Sequence, residues 1–284
     1  MRKLKPYNED SFEFYEAVVN SKKNSAQDPN YKERLQAHEA LISDKFDDYD
    51  EGFDDDDLVS LVNHGFINQD KTDLIKLYSY KSKKMQKLKI AVTTTERNRL
   101  LSTCQNCTIS EVNSFDHFVN KDEFPEFSVH PKNLFPSCTK CNSYKGQDWR
   151  DQGQLTYLNL YLDDLPEEQY LFVDINIAHD DAVSTKFYLD NPHDIDDLLF
   201  TRIENHYKNL HLCKRFQENA DTVITSLENT IRTYSDKLPI EDIIDLVLEN
   251  AERDIQYYGY NYWKSILELA MVESDDFLEM ILND

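Results

Sequence analysis

Residues 136–146 read PSCTKCNSYKG, and residues 104–107 read CQNC. Each C-x-x-C turn presents two thiolates to one ion, and two such turns complete the four-coordinate tetrahedral shell that zinc takes in structural sites. The two pairs stand thirty residues apart, so the shell closes from two separate stretches of chain. Four thiolates leave no position for water or substrate. The zinc expected on Cys104, Cys107, Cys138 and Cys141 is therefore structural rather than catalytic, and its binding free energy is part of the folding free energy.

Working outward, the chain has 284 residues, 40% of them hydrophobic, which is enough to bury a sizeable core in one or two domains. The start, MRKLKPYNEDSFEF, is basic but lacks an apolar core, and no run of about 18 uncharged apolar residues follows, so neither export nor membrane spanning is expected. A cytoplasmic location is expected, and there paired cysteines favour metal over disulfides. The net charge of −23 argues against a protein that grips nucleic acid through its overall field, so any such contact has to be local.

Charge is unevenly distributed. Residues 44–57, DKFDDYDEGFDDDD, hold nine acids and one lysine and read as a solvated acidic loop; Tyr49 at the third place spoils a calcium-loop pattern. Residues 71–99 reverse the sign, with nine Lys and Arg against Asp73 and Glu96, and Tyr78 and Tyr80 lie among the lysines. This segment reads either as a phosphate-contacting approach, with Lys83, Lys84 and Lys87 as candidates, or as an exposed lysine-rich helix. Residues 151–200 carry twelve acids and one lysine and would repel a nucleic-acid backbone.

Apolar spacing predicts helices over SFEFYEAVV and YKERLQAHEALI, and a third running from the basic segment into TTTERNRLL. QYLFVDINIAH and STKFYLDN alternate as strands do, and the chain from Ile195 onward reads as helical, with LLFTRIENHYKNLHLCKRF and PIEDIIDLVLENAERD the clearest amphipathic runs. The expected architecture is α+β and mainly helical. A small zinc-stabilised module over 101–150 lies between a helical N-terminal region over 1–100 and an acidic, mostly helical region over 151–284. His206 and His211, five apart, do not share a helix face and read as ordinary helix residues. Asp180-Asp181 and Asp196-Asp197 read as turn and cap residues, and Cys213 as a small buried hydrophobe. Tyr257, Tyr258, Tyr260, Tyr262 and Trp263 suit either a domain core or a protein interface.

Between the cysteine pairs lie Asp116-His117, then Asn133-Leu134-Phe135-Pro136 before the second pair, with Asn142 and Lys145 after it. This order, C-x-x-C, D-H, N-L-x-P-x-C-x-x-C-N-x-x-K, resembles the zinc-clasped HNH endonucleases, also called ββα-metal or His-Me finger nucleases. The resemblance covers Cys104 to Lys145. It implies a ββα-metal module in which His117 is the general base on water. Asp116 and Asn142 would hold one Mg²⁺, and Asn133 would brace the loop beside the catalytic strand. Lys145 would contact phosphate or merely solvate its helix. Asn142 stands where His is also common, and FVNKDEF after His117 departs from the family's more usual proline and small residues.

More loosely, NLYLDDLPEEQYLFVDI followed by RIENHYKNLHLCKRF is similar to HNH effectors of bacterial anti-phage systems of the Septu and retron-associated type. That similarity implies an ATPase partner and cleavage of DNA or RNA, tRNA included. The competing reading is a zinc-binding adaptor without catalytic activity, docked in a larger complex. It needs the four cysteines but not Asp116, His117, Asn133 and Asn142 in order.

Overall fold

A computed structural model describes residues 1–179 and 182–283. The Asp180-Asp181 pair lies outside them. The described residues form twelve α-helices and three two-stranded antiparallel sheets, an α+β architecture divided into two compact units. Residues 3–106 and 110–164 make one unit; residues 165 onward, with 1–2 and 107–109, make the other. No helix among the described residues is long and apolar enough to cross a membrane.

The first unit opens with α1 (Ser11–Asn20), α2 (Tyr31–Ala37) and α3 (Glu39–Asp54), followed by α4 (Asn68–Ile75) and α5 (Lys83–Thr93). The stretch expected as an acidic loop is instead most of α3. Ile42, Phe46, Tyr49 and Phe53 recur at steps of four, three and four, which puts them on one buried face, while Asp44, Asp47, Asp48, Glu51 and Asp54 take the solvent side. Burial of three aromatic rings outweighs the mediocre helix propensity of aspartate, which costs at most about 0.7 kcal/mol per residue.

The basic segment is likewise not one helix. It passes through α4 and a turn, and α5 starts at Ser82, whose hydroxyl accepts the Met85 N–H. Beyond Thr93 the chain folds back, with Thr94 bridging Leu100 and Asn98 in the left-handed region at φ 55°.

These helices surround two short strands, β1 (Ser114–His117) and β2 (Leu134–Ser137), followed immediately by α6 (Thr139–Lys145). The strands pair antiparallel with Asp116 opposite Phe135 and His117 opposite Leu134. A two-residue pair, β3 (Arg150–Asp151) with β4 (Gln154–Leu155), follows.

In the second unit the predicted strands form a hairpin, β5 (Leu171–Ile177) with β6 (Val183–Leu189). Six helices complete it: α7 (Asp197–Asn209), α8 (Leu212–Glu218), α9 (Asp221–Ser235), α10 (Ile240–Tyr258), α11 (Trp263–Val272) and α12 (Asp275–Asn283). Asp196 caps α7 by accepting the Leu198 and Leu199 N–H groups, as its sequence position suggested. His211, at φ 54°, breaks the long amphipathic run into α7 and α8. Cys213 is half-buried, and burial pushes its thiol up to about 11.

Of the tyrosine-rich stretch, Tyr262 and Trp263 belong to the core, with Trp263 stacked 5.3 Å from Phe216, whereas Tyr260 is exposed. Asn261, buried beside them, accepts the Tyr170 and Leu171 N–H groups and donates to the Glu168 carbonyl, so one amide fixes the entry to β5. Asn261→Ala strands those three backbone groups and is expected to cost roughly 2–4 kcal/mol, read as a lower urea midpoint with an unchanged m-value.

Candidate functional site

The four paired cysteines are buried, and their sulfurs lie within 4.8 Å of one another. A zinc ion with bonds of about 2.3 Å needs sulfurs about 3.8 Å apart, so the donor set fits a metal with small adjustments. Backbone geometry prepares both turns. The Cys104 N–H donates to the Ser110 carbonyl at 2.8 Å, and a bridge between Thr103 and Glu111 closes the first. At the second, the Cys138 sulfur accepts the Cys141 N–H at 3.4 Å, and Asn113 Oδ1 accepts the Thr139 N–H at 2.8 Å. The second pair is thus built into the first turn of α6.

Asp116 and His117 end β1, both buried. The His117 Nε2 lies 2.9 Å from the Ser128 carbonyl, which can only accept, so Nε2 carries the proton and Nδ1 keeps the lone pair. The Tyr78 ring meets the imidazole edge-on at 4.7 Å. Burial, helped by Lys121, lowers the imidazole pKa to about 3, and the ring is neutral at ordinary pH. The Asp116 carboxyl is pushed up by burial against the opposing pull of Lys145.

Lys145 corrects an expectation. Its ammonium is buried, 3.3 Å from Asp116, and donates to the His117 and Phe118 carbonyls at 2.8 and 3.1 Å, so it faces inward and offers nothing to a phosphate outside. The spacing of one helical turn from Cys141 carries it under the strand end.

Asn133 is fully buried. Its Oδ1 accepts the Val119 N–H at 2.7 Å and the Tyr49 hydroxyl at 3.2 Å, and its Nδ2 donates to the Val119 and Phe127 carbonyls, both at 3.1 Å. One amide therefore closes the loop that carries Ser128 back to His117. Asn142, half-buried on α6, donates from Nδ2 to the Phe115 carbonyl at 3.1 Å, which leaves its Oδ1 as the available oxygen beside Asp116's strand.

Lys83 and Lys87 are exposed on α5 and Lys84 is half-buried. The interleaved tyrosines are anchors rather than stacking surfaces. The Tyr78 hydroxyl accepts the Phe115 N–H at 3.1 Å, and Tyr80 donates to the Val112 carbonyl. Lys71 and Lys89 are also tied down, to the Asp122 and Val112 carbonyls. Lys121 and His130 escaped sequence reading, which noted Tyr49 only as breaking a calcium-loop pattern and Tyr78 only as lying among the lysines. His130 packs 4.1 Å from the Tyr49 ring and 4.4 Å from Phe46. Only the position of Lys121, four residues past His117, offered any signal.

Fold and site together define an α+β chain with a buried four-cysteine cluster that could hold a metal. The chain is 29% identical over 198 residues to Protein ea31 of Escherichia phage lambda, and the match covers 64% of this chain and 66% of that protein. It thus spans just under two thirds of that relative's length. No family model and no solved structure matches.

Elemental analysis is expected to find one zinc per chain, and stripping it, or Cys141→Ser, to lower the melting temperature. The buried imidazoles generate a second expectation. His117 and His130 both have pKa values depressed by burial, so below the ordinary value near 6.5 the unfolded chain binds protons that the folded chain does not. Stability is then present above pH 6.5 and drains as pH falls toward 3. Urea titrations across that window should show the loss, and His130→Gln should flatten it.

Proposed function

We propose that the protein is a metal-dependent endonuclease of the HNH type, hydrolysing phosphodiester bonds in DNA or RNA. The observation that carries the reading is the pairing of a neutral His117, its Nε2–H spent on the Ser128 carbonyl, with Asp116 at one strand end facing α6. In that tautomer Nδ1 takes the proton of a water as its oxygen attacks phosphorus, while the bond to the leaving oxygen breaks. Asn133 holds the Ser128 carbonyl in place through the 119–133 loop, so the base stays oriented.

Asp116 and the Asn142 Oδ1 would hold Mg²⁺. The donor chemistry suits it: a buried carboxylate, paired at 3.3 Å with Lys145, and a carbonyl oxygen on the adjoining helix. When bound, the cation supplies positive charge to the phosphate and the leaving oxygen. Lys121, half-exposed and near enough to act electrostatically on both Asp116 and His117, takes the phosphate-contacting role for which Lys145 is turned the wrong way. Lys83, Lys84 and Lys87 on α5 add positive charge to the same unit, against a net charge of −23 that disfavours unaided binding. Delivery by a partner, an ATPase in an anti-phage complex, fits this balance.

A zinc-stabilised adaptor is the second reading, favoured by the same buried Lys145 clamp on Asp116. Incubation with plasmid DNA and with total tRNA, with EDTA and then excess Mg²⁺, separates the two. His117→Ala is expected to reduce cleavage at least a thousandfold with zinc content and melting temperature retained; wild-type activity in that variant defeats the nuclease reading. Lys83→Glu with Lys87→Glu is expected to weaken nucleic-acid binding and lower the salt slope by about 0.9 per lost phosphate contact.

A further inference from the structure

The second unit carries a groove that the nuclease reading does not use. It lies between α9 and α10, with a volume of ≈ 360 Å³, and Leu227, Tyr234, Ile243, Leu246, Val247 and Glu268 are among the residues that line it. Leu227, Ile243 and Val247 are the buried floor, whereas Leu246 is 54% exposed and Tyr234 44% exposed on its lips. Leu246 and Tyr234 add exposed apolar surface at the mouth of this buried floor, so the apolar area is continuous from groove to lip.

Acidic residues flank the exposed leucine, and one of them, Glu249, is already paired with Arg253 at 3.3 Å. Asp242 and Glu249 lie one turn before and after Leu246 on α10, both exposed. Glu268, at the base on α11, and Asp254 on α10 interact electrostatically: burial raises the Glu268 carboxyl and Asp254 raises it further, while Lys264 opposes both shifts. Two partly desolvated carboxylates thus share one lysine, an arrangement that an added cation relieves. A second copy meeting face to face would set like charges against each other, which counts against a symmetric dimer.

We propose that the α9–α10 groove is the docking site for a cationic amphipathic helix of a protein partner. The helix lays leucine-like side chains over Ile243 and Leu246, and its arginines or lysines reach Asp242 and Glu268. The mode is helix-in-groove recognition, with anchors at i, i+3, i+4 and i+7. It does not depend on the nuclease reading.

The test uses the full chain and a fluorescein-labelled helical peptide with leucines at i, i+4 and i+7 flanked by arginines, followed by anisotropy at physiological salt. Binding is expected, with a loss of tenfold or more in Leu246→Asp and a smaller loss in Glu268→Gln. The same peptide with serines for leucines should not bind. Leu246→Asp adds a negative charge, so plain charge attraction predicts equal or tighter binding. That result, no binding by the arginine peptide, or self-association in sedimentation that Leu246→Asp abolishes overturns the proposal. If Leu246→Asp lowers the melting temperature, Leu246→Ser reads the same loss.

Discussion

A seven-residue helix and a pair of four-residue strands cannot hold themselves together in water, yet Asp116, His117 and Asn142 all stand on such pieces. The constraint that makes them a unit is the four-cysteine cluster. It joins the turn at 104–107 to the start of α6, so metal binding would fix where the helix begins and the face it offers to β1. Asn142, next to Cys141, inherits that placement. Its side-chain N–H donates a hydrogen bond to the Phe115 carbonyl, which sets the helix against the strand.

Asn133 does the corresponding work on the other side of the strands, with an amide in place of a metal. Three of its hydrogen bonds close the loop after His117, and a fourth, from the Tyr49 hydroxyl, connects that closure to α3. The acidic helix is therefore a structural part of the site's surroundings, presenting aromatic rings inward and carboxylates outward. Tyr78 and Tyr80 fasten the basic segment to the backbone of β1 and its approach. The basic segment is thereby anchored to the strand in a chain whose overall charge is strongly negative.

Much of the helical framework was readable because it rests on one-dimensional periodicity. Tyr15, Val18 and Val19 on α1, and the alternation along β5 and β6, place themselves, although the periodicity points to Phe12 where the helix buries Phe14. The acidic stretch misled because charge density is conspicuous in a sequence, whereas Ile42, Phe46, Tyr49 and Phe53 matter only once their common face is counted. The break at His211 had no counterpart in the hydrophobic pattern, since a left-handed residue changes chain direction without changing polarity.

The sequence by itself determined the candidate metal ligands, since two C-x-x-C turns carry their cysteines at fixed local spacing, and it determined which polar residues flank those turns. Only the tertiary structure decided how the flanking residues are used. Lys145 turns inward to Asp116, His117 spends Nε2 on a carbonyl eleven residues away, and Asn133 bonds a loop and a helix that lies eighty-four residues upstream. The physical reason is that ligand spacing along a turn is a local property. The direction in which a buried polar group finds its partner is settled by whichever distant donors and acceptors the packed core leaves within about 3 Å.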